Sequence, residues 1–201
     1  MKPPATATVA APARAQRADA RRNRERIVEA ARELMAEEGL EAQVDDIARA
    51  AGVGVGTVYR HFPTKDALVE ALADKRFERL AEFGHEALAE DDPWESFANY
   101  LRRGAELQAG DASLAEVMRN RGDVMRAAAE RHGLMELNRK LLRRAKRAGE
   151  VRTEIRAEDI PMVMCGLGTA TASTPGLIAG PNGWRRYLEI ILNGMRAPGR
   201  G

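Results

Sequence analysis

Between Thr57 and Lys65 the chain reads Thr-Val-Tyr-Arg-His-Phe-Pro-Thr-Lys, and its polar members are suited to recognition rather than reaction. An arginine can donate two hydrogen bonds to guanine O6 and N7, and a threonine offers a hydroxyl and a methyl. A tyrosine can pack its ring while its hydroxyl reaches a phosphate. Thr57, Tyr59, Arg60, His61 and Lys65 thus carry the groups of a nucleic-acid contact, with Gly52, Gly54 and Gly56 just ahead of them. Covalent chemistry has no comparable grouping. No nucleophile elbow, phosphate loop or HExxH stretch is present. His85 and His132 lack carboxylate or cysteine partners at ligand spacing, so no catalysis, cofactor or metal is expected.

These side chains need helices to hold them. Val44, Ile47, Ala48 and Ala51 repeat on one face of a short second helix, with Asp45 and Asp46 in its positive first turn. Val55, Val58 and Phe62 mark a third, stopped by Pro63, which cannot continue the hydrogen-bond ladder. Gly52 supplies the tight turn between the two, and Gly54 falls at the N-cap of the third. At about 100° per residue, Gly56, Thr57 and Arg60 point away from the buried stripe. A missing side chain at Gly56 would let this helix approach another molecule closely; a merely tolerated surface glycine is the plainer alternative. Ile27, Ala30, Ala31, Leu34 and Met35 give a first helix ended by Gly39. Thr64 caps a fourth that carries Leu68, Val69, Leu72, Leu80 and Phe83 into the rest of the chain. Lys65, in its first turn, can join the free N–H groups there in holding a phosphate.

The 201 residues, 44% hydrophobic and 31% charged, suit a helical globular protein with no bilayer-length apolar run. Net charge is only +2, but Arg14, Arg17, Arg21, Arg22, Arg24 and Arg26 face only Asp19 and Glu25. This basic arm suits phosphate or minor-groove contact, although a solvated charge run reads the same way. Residues 1–20 are expected to form a disordered leader without a secretory signal. One cysteine, Cys165, excludes an intrachain disulfide, and the chain reads as cytoplasmic.

The segment from Arg22 to Leu80 closely resembles the DNA-binding domain of TetR-family transcriptional regulators. The shared pattern is Ile47-Ala48, Gly52-Val53, the run Gly56-Thr57-Val58-Tyr59-Arg60-His61-Phe62, and Lys65. The resemblance implies DNA-backbone contact by Thr57, Tyr59, His61 and Lys65, and a place near base edges for Val55, Gly56 and Arg60; Arg24 joins them from the basic arm. Two positions depart from the pattern: Gln43 stands where the family often has Thr or Ser, and Gly54 where it usually has Ser. Residues 162–198 resemble the C-terminal ends of SbtR-like members.

The expected architecture is all-α: a helix-turn-helix domain over 21–80 and a larger bundle over 81–198. Within the bundle, helices are expected over 94–107, 114–119, 124–148, 159–173 and 184–196. Trp184, Tyr187, Leu188, Ile191, Leu192 and Met195 form a broad apolar face on the last helix, read as a homodimer interface with an ordinary buried core as the alternative. Met118, Met125, Met162 and Cys165 are candidate pocket residues. Met135 and Met164 lie in the same scatter, and Cys165 otherwise reads as a small buried hydrophobe. The function that fits is a ligand-responsive, homodimeric regulator, a repressor by preference. It would bind an inverted-repeat operator in double-stranded DNA and be released by an unidentified small molecule. A regulator without an effector, or an enzyme localised by a DNA-binding unit, are the alternatives.

Overall fold

The computed structural model describes residues 13–110, 121–173 and 183–199. Its described helices are α1 (Ala13–Glu38), α2 (Val44–Ala50), α3 (Val55–His61), α4 (Lys65–Leu88), α5 (Pro93–Gly110), α6 (Gly122–Arg131), α7 (Leu134–Arg147), α8 (Asp159–Ser173) and α9 (Gly183–Met195). Among the described residues there is no strand, only an isolated bridge between Val151 and Arg196.

Two apolar cores organise the chain. Ile27, Ala31 and Met35 of α1 meet Ile47, Val58, Phe62 and Leu68, and Val124 and Ala128 of α6 join them. The larger core gathers Phe97 and Leu101 of α5, Leu141 and Ala145 of α7, and Trp184, Leu188 and Leu192 of α9. Helix α4 belongs to both. Leu68, Val69 and Leu72 lie in the first core and Phe83 and Ala87 in the second, so the expected boundary at residue 80 falls inside a continuous helix.

Helix ends follow local chemistry. Thr64 accepts from the Ala67 N–H at 3.1 Å and caps α4. Asp92 accepts from the N–H groups of Trp94 (2.8 Å) and Glu95 (2.9 Å), with Pro93 at the first helical position of α5. Arg144 of α7 closes the α4–α5 connection by donating to the carbonyls of Leu88, Glu90 and Asp91.

Two expectations are corrected. The leader, expected to be disordered to residue 20, is helical from Ala13, because an Ala- and Arg-rich stretch has high helix propensity and Arg22 pairs with Asp19 one turn away. The single helix expected over 124–148 is two, α6 and α7. Gly133 adopts φ +64° between them, a left-handed conformation that glycine reaches without steric cost, and it starts α7. At that break His132 Nε2 lies 2.9 Å from Asp74 Oδ1 of α4, and Arg131 reaches the same oxygen. Burial pushes the Asp74 carboxyl up, but the hydrogen bonds from His132 and Arg131 outweigh it and hold the group below its ordinary value. The segment expected at 114–119 lies outside the described residues.

Candidate nucleic-acid interface and cavity

Helices α2 and α3 meet through a turn at Gly52, whose φ is +62°. A Cβ there would also collide with Arg26 Nη2, a group that donates to the Gly52 carbonyl at 3.3 Å. Arg26 thereby ties α1 to the turn. Val58 and Phe62 are buried and Val55 packs against the same core, which fixes how α3 is rotated. Gly56 and Arg60 are then exposed, Thr57 and His61 are half-buried, and Tyr59 is 51% exposed. A Cβ at Gly56 would meet nothing within 4 Å, so no packing inside the protein requires glycine there.

The cations are less free than the sequence implied. Arg24 lies over the Phe62 ring, 5.2 Å from its centroid, which sets its charge beside the end of α3. Lys65 donates to the Leu40 carbonyl and joins the start of α4 to the turn after α1.

The two departures from the family pattern have the expected cost. Neither Gln43 nor Gly54 makes a side-chain cap, and Gln43 instead donates to the Glu41 carbonyl at 2.7 Å. Gly54 sits at φ −72°, ψ 146° with open space around its Cα, so serine fits without strain. Gly54→Ser is therefore expected to stabilise the protein by about 0.5–1 kcal/mol, through a new cap and a less flexible unfolded chain. A higher urea midpoint at unchanged slope would show it.

The bundle encloses a cavity of about 720 Å³. Phe77 and Leu80 of α4, Leu101 of α5, Met125 of α6, Met135 of α7 and Met164 of α8 make most of its apolar wall. Tyr100 and Asn138 are buried polar residues of the same wall, and burial pushes the Tyr100 hydroxyl well above its ordinary value, keeping it protonated. Of the expected pocket residues only Met125 is in place. Met162 is 74% exposed and Cys165 is exposed, because α8 turns the face carrying them outward and Met164 inward. Cys165 is thus not the small buried hydrophobe its composition suggested. Met118 lies outside the described residues. Leu80, expected on the helix that enters the bundle, borders the cavity, whereas nothing in the sequence sets Phe77, Tyr100 and Asn138 apart from ordinary core.

The last helix also needs correction. Trp184, Leu188, Leu192 and Met195 are no more than 4% exposed, inside the protomer's own core, and Ile191 packs against them. Only Tyr187, 42% exposed, faces outward among the six; its neighbour on that face is Ile190, 55% exposed. Arg102 of α5 makes a paired contact to Glu189 of α9, Nε to Oε1 at 2.8 Å and Nη2 to Oε2 at 3.1 Å. Hydrogen bonding to Arg102 holds the Glu189 carboxyl below its ordinary value.

The wider comparisons agree with this arrangement. Residues 27–72 match the model for bacterial regulatory proteins of the tetR family, and residues 92–197 match the C-terminal domain of SbtR-like transcriptional regulators. An HTH-type transcriptional regulator of Staphylococcus aureus is 37% identical over 84 residues, 40% of this chain; the match spans 44% of that relative's length. A solved TetR regulatory protein of Mycobacterium vanbaalenii superposes with a TM-score of 0.67 at 36% identity, covering 90% of this chain and 99% of the other. A TetR regulator of Streptomyces coelicolor gives 0.65 at 30% identity, covering 88% and 99%. No helix among the described residues is long and apolar enough to cross a membrane. A helix-turn-helix with its polar face outward, joined by one long helix to a hollow bundle and matched along nearly the whole described chain, belongs to the TetR family of DNA-binding transcriptional regulators.

Proposed function

We propose that this regulator is a homodimeric repressor that leaves an inverted-repeat operator when a small, largely apolar molecule enters the cavity. One observation carries the reading: Phe77 of α4 and Met125 of α6 line the cavity and also pack against the core that holds α1 to α3. A molecule that moves these two side chains acts on the packing that orients α3. Helix α4 adds a rigid connection, since Lys65 starts it beside α3 and Leu80 borders the cavity.

Thr57, Tyr59, His61, Lys65 and Arg24 are assigned to the DNA backbone, and Val55, Gly56 and Arg60 to the base edges. For Lys65 this means exchanging the Leu40 carbonyl for a phosphate. The dimer is assigned to the outward face of α8 and α9. Met162, Cys165, Gly166 and Thr169 are exposed at helical spacing on α8, beside Tyr187 and Ile190 on α9. Two such helices from each protomer make a four-helix contact with two-fold symmetry, which requires symmetric half-sites.

Selecting bound DNA from a random pool and footprinting the product tests the operator; a lone asymmetric half-site bound at full affinity by monomers rejects the symmetry. The effector is tested with a compound that the protein retains from a cell extract and that mass spectrometry identifies. Coupling is reciprocal, so operator DNA should weaken binding of that compound by the factor by which the compound weakens operator binding, about 5- to 150-fold. Calorimetric titration with and without operator measures it. Equal affinities in the two titrations would favour a regulator with no effector.

A further inference from the structure

Helix α1 starts at Ala13 but enters the protein core only at Ile27, and none of residues 15–26 is buried. At 1.5 Å per residue, about 20 Å of helix precedes the first core contact. This stretch, residues 13–26, carries six arginines against Asp19 and Glu25, and no apolar residue larger than alanine. It has little to bury against an apolar partner, so its contacts must be made by charge.

The charge lies on one side. At about 100° per residue, Arg17, Arg21 and Arg24 fall within about 60° of one another around the helix, whereas Asp19 lies on the far side and pairs with Arg22. Glu25 borders the stripe and stands 3.6 Å from Arg21, in an exposed pair that a phosphate can replace. Arg24 gives the stripe its direction. It lies over Phe62, the residue after α3, while Arg26 donates to the carbonyl of Gly52 in the turn before α3. The base of the extension is thereby fixed at both ends of the helix whose outward face holds Gly56 and Arg60.

The helical form also separates the two kinds of contact that a basic arm could make. A helix with its side chains is about 10–12 Å across and the minor groove about 6 Å wide, so the extension does not fit into undistorted DNA there. It can lie across the sugar-phosphate backbone. Arg17 and Arg24 are about 10 Å apart along the axis, the length of about three base pairs.

We propose that the first half of α1 is a second DNA-binding element, whose Arg17, Arg21 and Arg24 lie along phosphates outside the major-groove contact of α3 and add affinity without base preference. This rests on α3 facing the DNA, and it gives each protomer a longer site than α3 and the start of α4 cover.

Salt titration and phosphate-ethylation interference on a selected operator test it with the full-length protein. In the double variant Arg17→Ala, Arg21→Ala the urea midpoint should not fall, because both positions are exposed and alanine is the best helix former. A dimer would lose four phosphate contacts, so the slope of log affinity against log salt should drop by about 3–4 and affinity at low salt by about tenfold or more. Base preference should stay the same. Some phosphates whose ethylation blocks the parent should no longer matter to the variant, and the corresponding double lysine variant should keep most of the slope. A slope and an interference pattern unchanged in the double alanine variant overturn the proposal and leave α3 as the DNA contact. So does a variant that loses base discrimination, or A·T to G·C changes that weaken the parent and not the variant, since either result places the arm in a groove. A parent protein that binds no selected DNA removes the contact of α3 and this inference together.

Discussion

Gly56→Leu is expected to fold at least as stably as the parent protein and to lose operator affinity by about a hundredfold or more. The two halves of that result have separate causes. Leucine is a better helix former than glycine by several tenths of a kcal/mol, and a Cβ at this position meets nothing within 4 Å, so α3 should gain stability. On the outward face, the same side chain stands between the backbone of α3 and the DNA. Lifting the helix by the thickness of a leucine lengthens the neighbouring contacts of Thr57 and Arg60, each base contact being worth about 1–3 kcal/mol, and a dimer loses them twice. Chemical denaturation and fluorescence anisotropy on a selected operator read the two halves independently. Undiminished affinity would make Gly56 a tolerated surface glycine and move the interface elsewhere.

Ile190→Asp and Leu192→Ala, two residues apart on α9, are expected to fail in opposite ways. Ile190 is 55% exposed in the protomer, so a carboxylate there has water available and should leave the protomer fold nearly intact. In the proposed dimer it would be buried against an apolar partner surface with no counter-ion, which costs several kcal/mol per protomer and should dissociate the dimer. Operator binding would fall with it, because each half-site would then be bound alone. Leu192 is fully buried against the α5 and α7 core, and its truncation should cost about 2–5 kcal/mol of folding stability while the remaining folded protein stays dimeric. Analytical ultracentrifugation beside urea denaturation separates the outcomes. An Ile190→Asp protein that remains a dimer would place the subunit contact on another face.

The sequence by itself determined the elements of the DNA-binding unit. The spacing of Ile47, Ala48, Val58 and Phe62 admits one buried face for each short helix, Pro63 stops α3, and Gly52 permits a turn few other residues adopt. Once those constraints are met, the outward position of Gly56 and Arg60 follows from helical period alone. Local rules also placed the start of α4 at Thr64 and the bounds of α8.

In the bundle, period was not enough. On α9 apolar residues cover more than one side, so the pattern cannot say which of them meets the protomer's own core; packing into the core of α5 and α7 turned Trp184, Leu188 and Leu192 inward and left Tyr187 and Ile190 outside, with the Arg102–Glu189 pair at the edge of that contact. On α8 the stretch from Met162 to Cys165 is uniformly apolar or small, and tertiary contact alone chose Met164 for the cavity. The cavity itself is a gap between helices that lie far apart in the chain. A sequence names the side chains that border such a space, but whether they close over it depends on how far apart α4, α5, α6 and α7 are held, a distance set by the sum of contacts along their whole length.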